Sequence, residues 1–179
     1  FCFLDFGYWL FRFCLKNQLT QKIWFNDIDP GIAGIWHCVI NEPQTLIEKI
    51  ENYCPNVDDF WLFKQELTEP DCVNKFSKLE LAFKKLVIHQ FSYSGLGVKA
   101  GSPIGGKMQV DESGEKKKYT FDCRWSPKNM VKEINMFQHS LNDIQVRDNT
   151  CTQLDYREIL LDETSSGLIY LDPPYYEQG

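Results

Sequence analysis

Apolar residues recur along this chain with two periods, and the alternation of the two sets the expected architecture. Short runs bounded by turn formers read as strands: Phe1–Leu4, Lys22–Phe25, a segment within Ile144–Thr152, and Gly167–Leu171. The last is apolar or aromatic throughout, the pattern of a strand buried on both faces of a parallel sheet. Spacings of three and four residues predict helices over Trp9–Leu15, Gly31–Ile40, Pro43–Tyr53, Asp58–Leu67, Asp71–Gln90 and Ser126–His139, with a short one from Asp155-Tyr156 through Leu160. The inward positions would be Trp36, Val39, Leu46, Ile47 and Ile50, then Val73, Phe76, Leu79, Phe83, Leu86 and Val87, then Met130, Val131, Ile134 and Phe137. Asp29 before Pro30 and Ser126 before Pro127 are cap-and-start pairs.

Between these periodic segments lies a different texture. Phe91 to Gly106 is a loop rich in Gly and Ser, longer than a connector needs, and such loops are usually functional or mobile. A hairpin is expected next, Lys107–Val110 with Lys116–Trp125, turning around Asp111-Glu112-Ser113-Gly114. Strand and helix thus alternate at both ends of the chain. The expected fold is α/β, a doubly wound Rossmann-like sheet with a helical and hairpin insertion. Residues 1–56 would form the first part of the core, 57–140 the insertion and 141–179 the second part.

Composition narrows the class. With 43% hydrophobic and 15% aromatic residues over 179 positions, the chain is too apolar for disorder and long enough to bury one core. The net charge of −6 argues against broad nucleic-acid affinity, so any such face is local. Its best candidate is Lys116, Lys117, Lys118 and Arg124 beside the glycine-rich loop, although charge runs are more often solvated faces. Seven cysteines, with no Cys-x-x-Cys pair, read as reduced, mostly buried thiols of a cytoplasmic protein. His37 has no second ligand at helical spacing and reads as an interfacial histidine rather than a metal ligand. The apolar first fifteen residues are interrupted by Asp5 and Arg12, have no basic leader, and are too short to span a bilayer. Neither a signal peptide nor a membrane span is expected, and the chain reads as a partial copy of a longer fold.

Two patterns carry chemistry. Gly7 follows the first strand, and Asp27 stands about 20 residues later at the tip of the next, the spacing by which Rossmann-like folds hold a nucleoside. Because Asp29 is the better helix cap, Asp27 is left for a ligand. At the other end, Asp172-Pro173-Pro174-Tyr175 follows the buried strand. The prolines cannot extend the ladder, so the chain leaves the sheet in a stiff turn presenting a carboxylate and phenol rings at the edge where ligands bind.

An aspartate and glycine after a strand, then Asn26-Asp27-Ile28-Asp29, a long insertion with Phe91-Ser92-Tyr93-Ser94-Gly95, Asp155-Tyr156 and finally Asp172-Pro173-Pro174-Tyr175 follow one another in an order that resembles the D12-class (Dam-like) DNA adenine-N6 methyltransferases over nearly the whole chain. The resemblance implies S-adenosylmethionine as methyl donor and no metal. It implies that Asp27 binds the ribose hydroxyls of that donor, that Asp155 beside Tyr156 accepts from the amino group of its adenine, and that Asp5, Phe6 and Gly7 lie near its methionine moiety. Asp172 and the carbonyl of Pro173 would hold the N6 hydrogens of a target adenine flipped out of the duplex, with Pro174 stiffening the turn and Tyr175 stacked on the ring. Ser92, Tyr93, Ser94, Lys99, Lys116, Lys117, Lys118 and Arg124 would belong to the DNA-facing insertion. The implied partners are double-stranded DNA and, in some settings, a cognate restriction endonuclease; a monomer is expected. One departure keeps an alternative open. The first loop has Gly7 as its only glycine, followed by Tyr8, Trp9, Leu10 and Phe11, which would suit a catalytically inactive remnant that binds DNA weakly or not at all.

Overall fold

The computed structural model describes residues 13–14, 16–17, 22–143, 148–162 and 169. The expected strands Phe1–Leu4 and Gly167–Leu171, and most of the Trp9–Leu15 helix, lie outside them. So do Asp5, Phe6, Gly7, Asp172, Pro173, Pro174 and Tyr175.

In chain order the elements are β1 (Lys22–Asn26), α1 (Pro30–Asn41), α2 (Pro43–Asn52), α3 (Val57–Thr68), α4 (Cys72–Lys75), α5 (Lys78–Phe91), α6 (Pro127–Asp143), β2 (Asp148–Thr152) and α7 (Tyr156–Asp162). Two short 3-10 turns, Tyr93–Gly95 and Gly97–Lys99, follow α5. β1 and β2 pair in parallel, with Lys22 opposite Asp148 and Asn26 opposite Thr152. Among the described residues the sheet therefore has two strands, fewer than the doubly wound sheet expected, in a structure that is mainly helical.

α5 is the pillar of the molecule. Its Ala82 and Leu86 join α1, α2 and α6 in a core of Ile35, Cys38, Val39, Leu46, Ile47, Ile50, Met130, Ile134, Phe137 and Leu141. Its Phe83, Val87, Ile88 and Phe91 face the other way, against Phe60 and Ala100. The sheet joins the first core through Ile23 and Phe25, the Phe25 ring stacking on Trp36 with centroids 4.4 Å apart. Burial all round α5 forces two lysines inside, where each meets a carboxylate. Lys85 Nζ donates to Asp29 Oδ2 at 2.5 Å. Lys84 Nζ lies 3.0 Å from Glu66 Oε2, out of line for a hydrogen bond, and stands over the Phe76 ring.

Two expectations need correction. The single helix over Asp71–Gln90 is broken at Phe76–Ser77. Ser77 caps α5 by accepting from the Glu80 amide while the Glu80 carboxylate accepts from the Ser77 amide, so a helix start outcompetes continuity. The break turns Val73 outward, 44% exposed. The hairpin is reduced to one antiparallel bridge, Val110 with Lys116, closed by the Asp111 amide donating to the Glu115 carbonyl at 2.8 Å. Gln109 takes the place of a ladder: its Nε2 donates to the Ile104 carbonyl at 3.1 Å and to that of Gly106, and its Oε1 accepts from the Phe121 amide at 2.9 Å.

The α1–α5 crossing is close because α1 presents glycines there. A Cβ at Gly34 would sit 2.8 Å from the Lys78 carbonyl oxygen, a backbone atom that cannot turn away. Gly34→Ala gains about 1 kcal/mol of helix propensity. Overpacking costs about 1–3 kcal/mol, so the variant should lose stability on balance. Thermal unfolding followed by circular dichroism should show a midpoint lowered by a few degrees, at about 2–4 °C per kcal/mol for a chain of this size. An unchanged or raised midpoint would contradict this packing.

Candidate functional site

Parallel pairing brings the carboxyl ends of β1 and β2 to one edge, and the residues that follow them carry the acids. The Asp27 amide donates to the Thr152 carbonyl at 3.3 Å, the last rung between the strands. Beyond it, the Asn26 side chain continues the ladder. Its Oδ1 accepts from the Leu154 amide and from Thr152 Oγ1, both at 2.8 Å, and its Nδ2 donates to the Leu154 carbonyl at 2.9 Å. Trp24 Nε1 donates to the same threonine hydroxyl at 2.6 Å. Asp27 and Asp155 are thus each one residue beyond a fixed tie. The role of Asn26 was not visible in the sequence, because its partners stand 126 and 128 positions away.

Of the two aspartates at the exit of β1, Asp29 takes the cap, as expected. Asp29 Oδ1 accepts from the Gly31 and Ile32 amides and caps α1, with Pro30 in its first turn. Asp27 is partly buried, and its Oδ1 accepts from the Asp29 amide at 2.8 Å. The carboxylate is therefore held in place by the turn it belongs to.

Asp155 opens α7, accepting from the Arg157 amide at 2.9 Å. The Arg157 guanidinium also forks onto it, Nε to Oδ1 at 2.9 Å and Nη2 to Oδ2 at 2.7 Å. Oδ2 keeps room for a further donor, since a carboxylate has about four acceptor positions. The side-chain hydrogen bond from Arg157 holds the Asp155 carboxyl down at about 2, and the pairing raises the arginine further above its usual range. At neutral pH this group is an ionised acceptor. Tyr156 beside it is 56% exposed.

A titration follows. Because the folded-state pKa of Asp155 is depressed, its contribution to stability is present above the unfolded value of about 4 and is lost as pH falls through about 2. NMR observation of the Asp155 carboxyl carbon should show a midpoint near the lower value, and Arg157→Ala should bring it up towards the ordinary carboxylate range. A midpoint that Arg157→Ala leaves in place would show that the arginine does not set it.

The segment from Ser92 to Arg124 places its expected contact residues unequally. Ser92 is buried, contrary to an expected DNA-facing role for its side chain. Its hydroxyl donates to the His89 carbonyl at 3.1 Å and accepts from the Gly97 amide at 2.9 Å, which ties the loop back to α5. Arg124 Nη1 reaches 3.5 Å from the Ser92 carbonyl. Lys117 Nζ donates to the Gly105 carbonyl at 2.7 Å. Tyr93 is 70% exposed, as are, to differing extents, Lys99, Lys116 and Lys118; Ser94 lies in the turn beside Tyr93. Lys116 Nζ stands 3.9 Å from Asp122 Oδ2, and the Lys118 ammonium stands 5.5 Å from the Tyr119 ring centroid. Loop-holding and exposed residues are thus interleaved along one segment.

His37 Nε2 lies 3.3 Å from Glu42 Oε1. Cys14, Cys38, Cys54, Cys72, Cys123 and Cys151 are free thiols, but only Cys38 and Cys72 are buried, fewer than expected. Burial pushes Cys38 up to about 12 and Cys151 to about 11, so neither is a thiolate at neutral pH. Among the described residues no group of three or more His, Cys, Asp or Glu side chains gathers as a metal site. None of the described helices is long and apolar enough to cross a membrane.

Comparison with curated proteins returns no match. A family model does match, that of the D12 class N6 adenine-specific DNA methyltransferases, over residues 10–179. A match of that extent covers nearly the whole chain, and so the chain belongs to the D12 class of N6 adenine-specific DNA methyltransferases.

Proposed function

We propose that the chain moves a methyl group from S-adenosylmethionine to N6 of an adenine flipped out of double-stranded DNA, at a specific site, with the donor's nucleoside held at the carboxyl edge of β1 and β2. The observation that carries this reading is the juxtaposition of Asp27 and Asp155 on that edge, tied together through Asn26. In open α/β sheets ligands bind there. The donor set fits the group: a ribose diol and an adenine amine are hydrogen-bond donors, and ionised carboxylates are acceptors only. Asp27 would take the ribose hydroxyls and Asp155 the amine, with Tyr156 flanking and Asp5, Phe6 and Gly7 near the methionine end. The bound donor supplies an electrophilic methyl; no metal enters this reading.

The acceptor side rests on Asp172 to Tyr175. An exocyclic purine amine is a poor nucleophile because its lone pair is delocalised into the ring. Asp172 and the Pro173 carbonyl, both acceptors and one anionic, favour the pyramidal amine and the positive charge that develops on it. Pro174 stiffens the turn, and misplacement of the reacting atoms by ~1 Å can cost about a hundredfold in rate. Stacking on Tyr175 would offset roughly 1–3 kcal/mol per base of the stacking lost on flipping. We assign Tyr93, Ser94, Lys99, Lys116 and Lys118 to phosphate and base contact, with Ser92, Lys117 and Arg124 holding the segment that presents them. On this reading the strands form part of a Rossmann-like core, 1–56 and 141–179, interrupted by a DNA-recognising insertion, 57–140, in a monomeric cytoplasmic enzyme.

The test is transfer of labelled methyl groups from S-adenosylmethionine into duplex DNA, followed by digestion to nucleosides. Label in N6-methyladenine is expected; label in N4-methylcytosine overturns the choice of acceptor. The alternative, an inactive remnant, is favoured by the bulky Tyr8-Trp9-Leu10-Phe11 after Gly7 and is excluded by any transfer.

A further inference from the structure

We propose that Asn26 is a positioning residue that sets the spacing between the two acids of the cofactor edge, an inference that rests on the assignment of Asp27 and Asp155 to S-adenosylmethionine. A primary amide is the side-chain equivalent of a peptide group, one acceptor and one donor on a planar frame. Asn26 is the last residue of β1, and the chain after Thr152 is leaving the sheet. Leu154 there would present an amide and a carbonyl with no strand opposite them. Asn26 takes both: Oδ1 accepts from the Leu154 amide at 2.8 Å and Nδ2 donates to its carbonyl at 2.9 Å. The side chain thereby adds one more rung to a parallel ladder whose backbone has ended.

The orientation of that amide is fixed twice over. Thr152 Oγ1, which receives the Trp24 indole N–H at 2.6 Å, spends its own proton on Asn26 Oδ1 at 2.8 Å. Turning the amide over would set Nδ2 against the Leu154 amide and Oδ1 against its carbonyl, a donor on a donor and an acceptor on an acceptor. The oxygen therefore faces Leu154 N–H and the nitrogen its carbonyl.

The consequence is geometric. Asp27 follows Asn26 directly and Asp155 follows Leu154 directly, so the tie lies one residue from each acid on both sides. A rigid nucleoside that donates its diol to one and its amine to the other needs their separation fixed in advance, because ordering them on binding would cost affinity. Nothing in this requires Asn26 to touch the ligand. Its effect passes through Asp155, and it disappears when Asp155 is gone.

The full chain is titrated calorimetrically with S-adenosylhomocysteine, the stable demethylated form of the donor. Asn26→Ala should weaken binding roughly tenfold, the equivalent of one or two net hydrogen bonds. In an Asp155→Ala background the same change should alter affinity by no more than about twofold, a coupling that general loosening of the fold would not produce. Asn26→Asp is the second variant, close in shape: it keeps the Oδ1 acceptor for the Leu154 amide and the Thr152 hydroxyl and sets a charged acceptor against the Leu154 carbonyl in place of the donor. It should weaken binding in the same direction with an unchanged far-ultraviolet circular dichroism spectrum, and it decides the matter if Asn26→Ala does not fold. Failure of the unaltered chain to bind S-adenosylhomocysteine would overturn the underlying assignment. Binding that Asp155→Ala weakens but Asn26→Ala and Asn26→Asp leave alone, or weaken independently of Asp155, would overturn the role of Asn26 alone.

Discussion

Asp172→Ala is expected to abolish methyl transfer while leaving affinity for the donor in place. On the proposed reading the adenine amine acquires positive charge as it attacks and Asp172 is the anionic acceptor for that charge, so its contribution would be made in the transition state and hardly at all in the ground state. Deleting one preorganised group of this kind costs roughly 10²–10³ in rate in enzymes where it has been removed singly. Asp172→Asn keeps one acceptor oxygen, loses the charge, and should fall between the two. Single-turnover transfer to duplex DNA at saturating donor is the appropriate measurement, because it separates the step from product release. Transfer by Asp172→Ala at the unaltered rate would sink the role given to this residue.

Asp27→Ala should weaken S-adenosylhomocysteine binding by about a hundredfold, since hydrogen bonds to a charged group contribute about 1.5–3 kcal/mol each and the ribose offers two. The alanine variant also strips the Asp29 amide of its acceptor, which loosens the cap of α1. Asp27→Asn separates the two effects. It can keep a neutral acceptor for that amide while removing the charge, so stability should hold and affinity should still fall, by roughly tenfold. Calorimetric titration alongside thermal unfolding reads both. Unchanged affinity in Asp27→Asn and Asp27→Ala would move the ribose elsewhere.

What was legible in the sequence was local. Asp29-Pro30 announced α1 because a cap and a proline act on the next turn, and of the inward stripe Met130, Val131, Ile134 and Phe137 all are buried except Val131, which is partly so. Asp27 was legible as a candidate from its spacing after Gly7 at the tip of a strand, and Asp155 only through the resemblance carried by the order of the motifs. The capping box Ser77-x-x-Glu80 was also written in the chain, but the apolar spacing across Val73, Phe76 and Leu79 masked it. The hairpin failed for another reason, because alternation alone does not form a ladder when a side chain such as Gln109 satisfies the same backbone groups. Longer-range facts had no local signal at all. Lys84 and Lys85 look like the polar face of a helix until Glu66 and Asp29 arrive from other elements. Asn26 looks like a strand-end polar residue until Leu154 is set beside it.

The claim on which the rest depends is that the carboxyl edge of β1 and β2 receives the methyl donor. Backbone amide signals of the full chain, followed by NMR during titration with S-adenosylhomocysteine, test it most directly. Saturable shifts are expected at Asp27, Ile28, Asp29, Leu154, Asp155 and Tyr156, with the outer face of α6 around Lys132 and Asn135 unmoved. Saturable binding that leaves the signals of Asp27 and Asp155 where they were would contradict it.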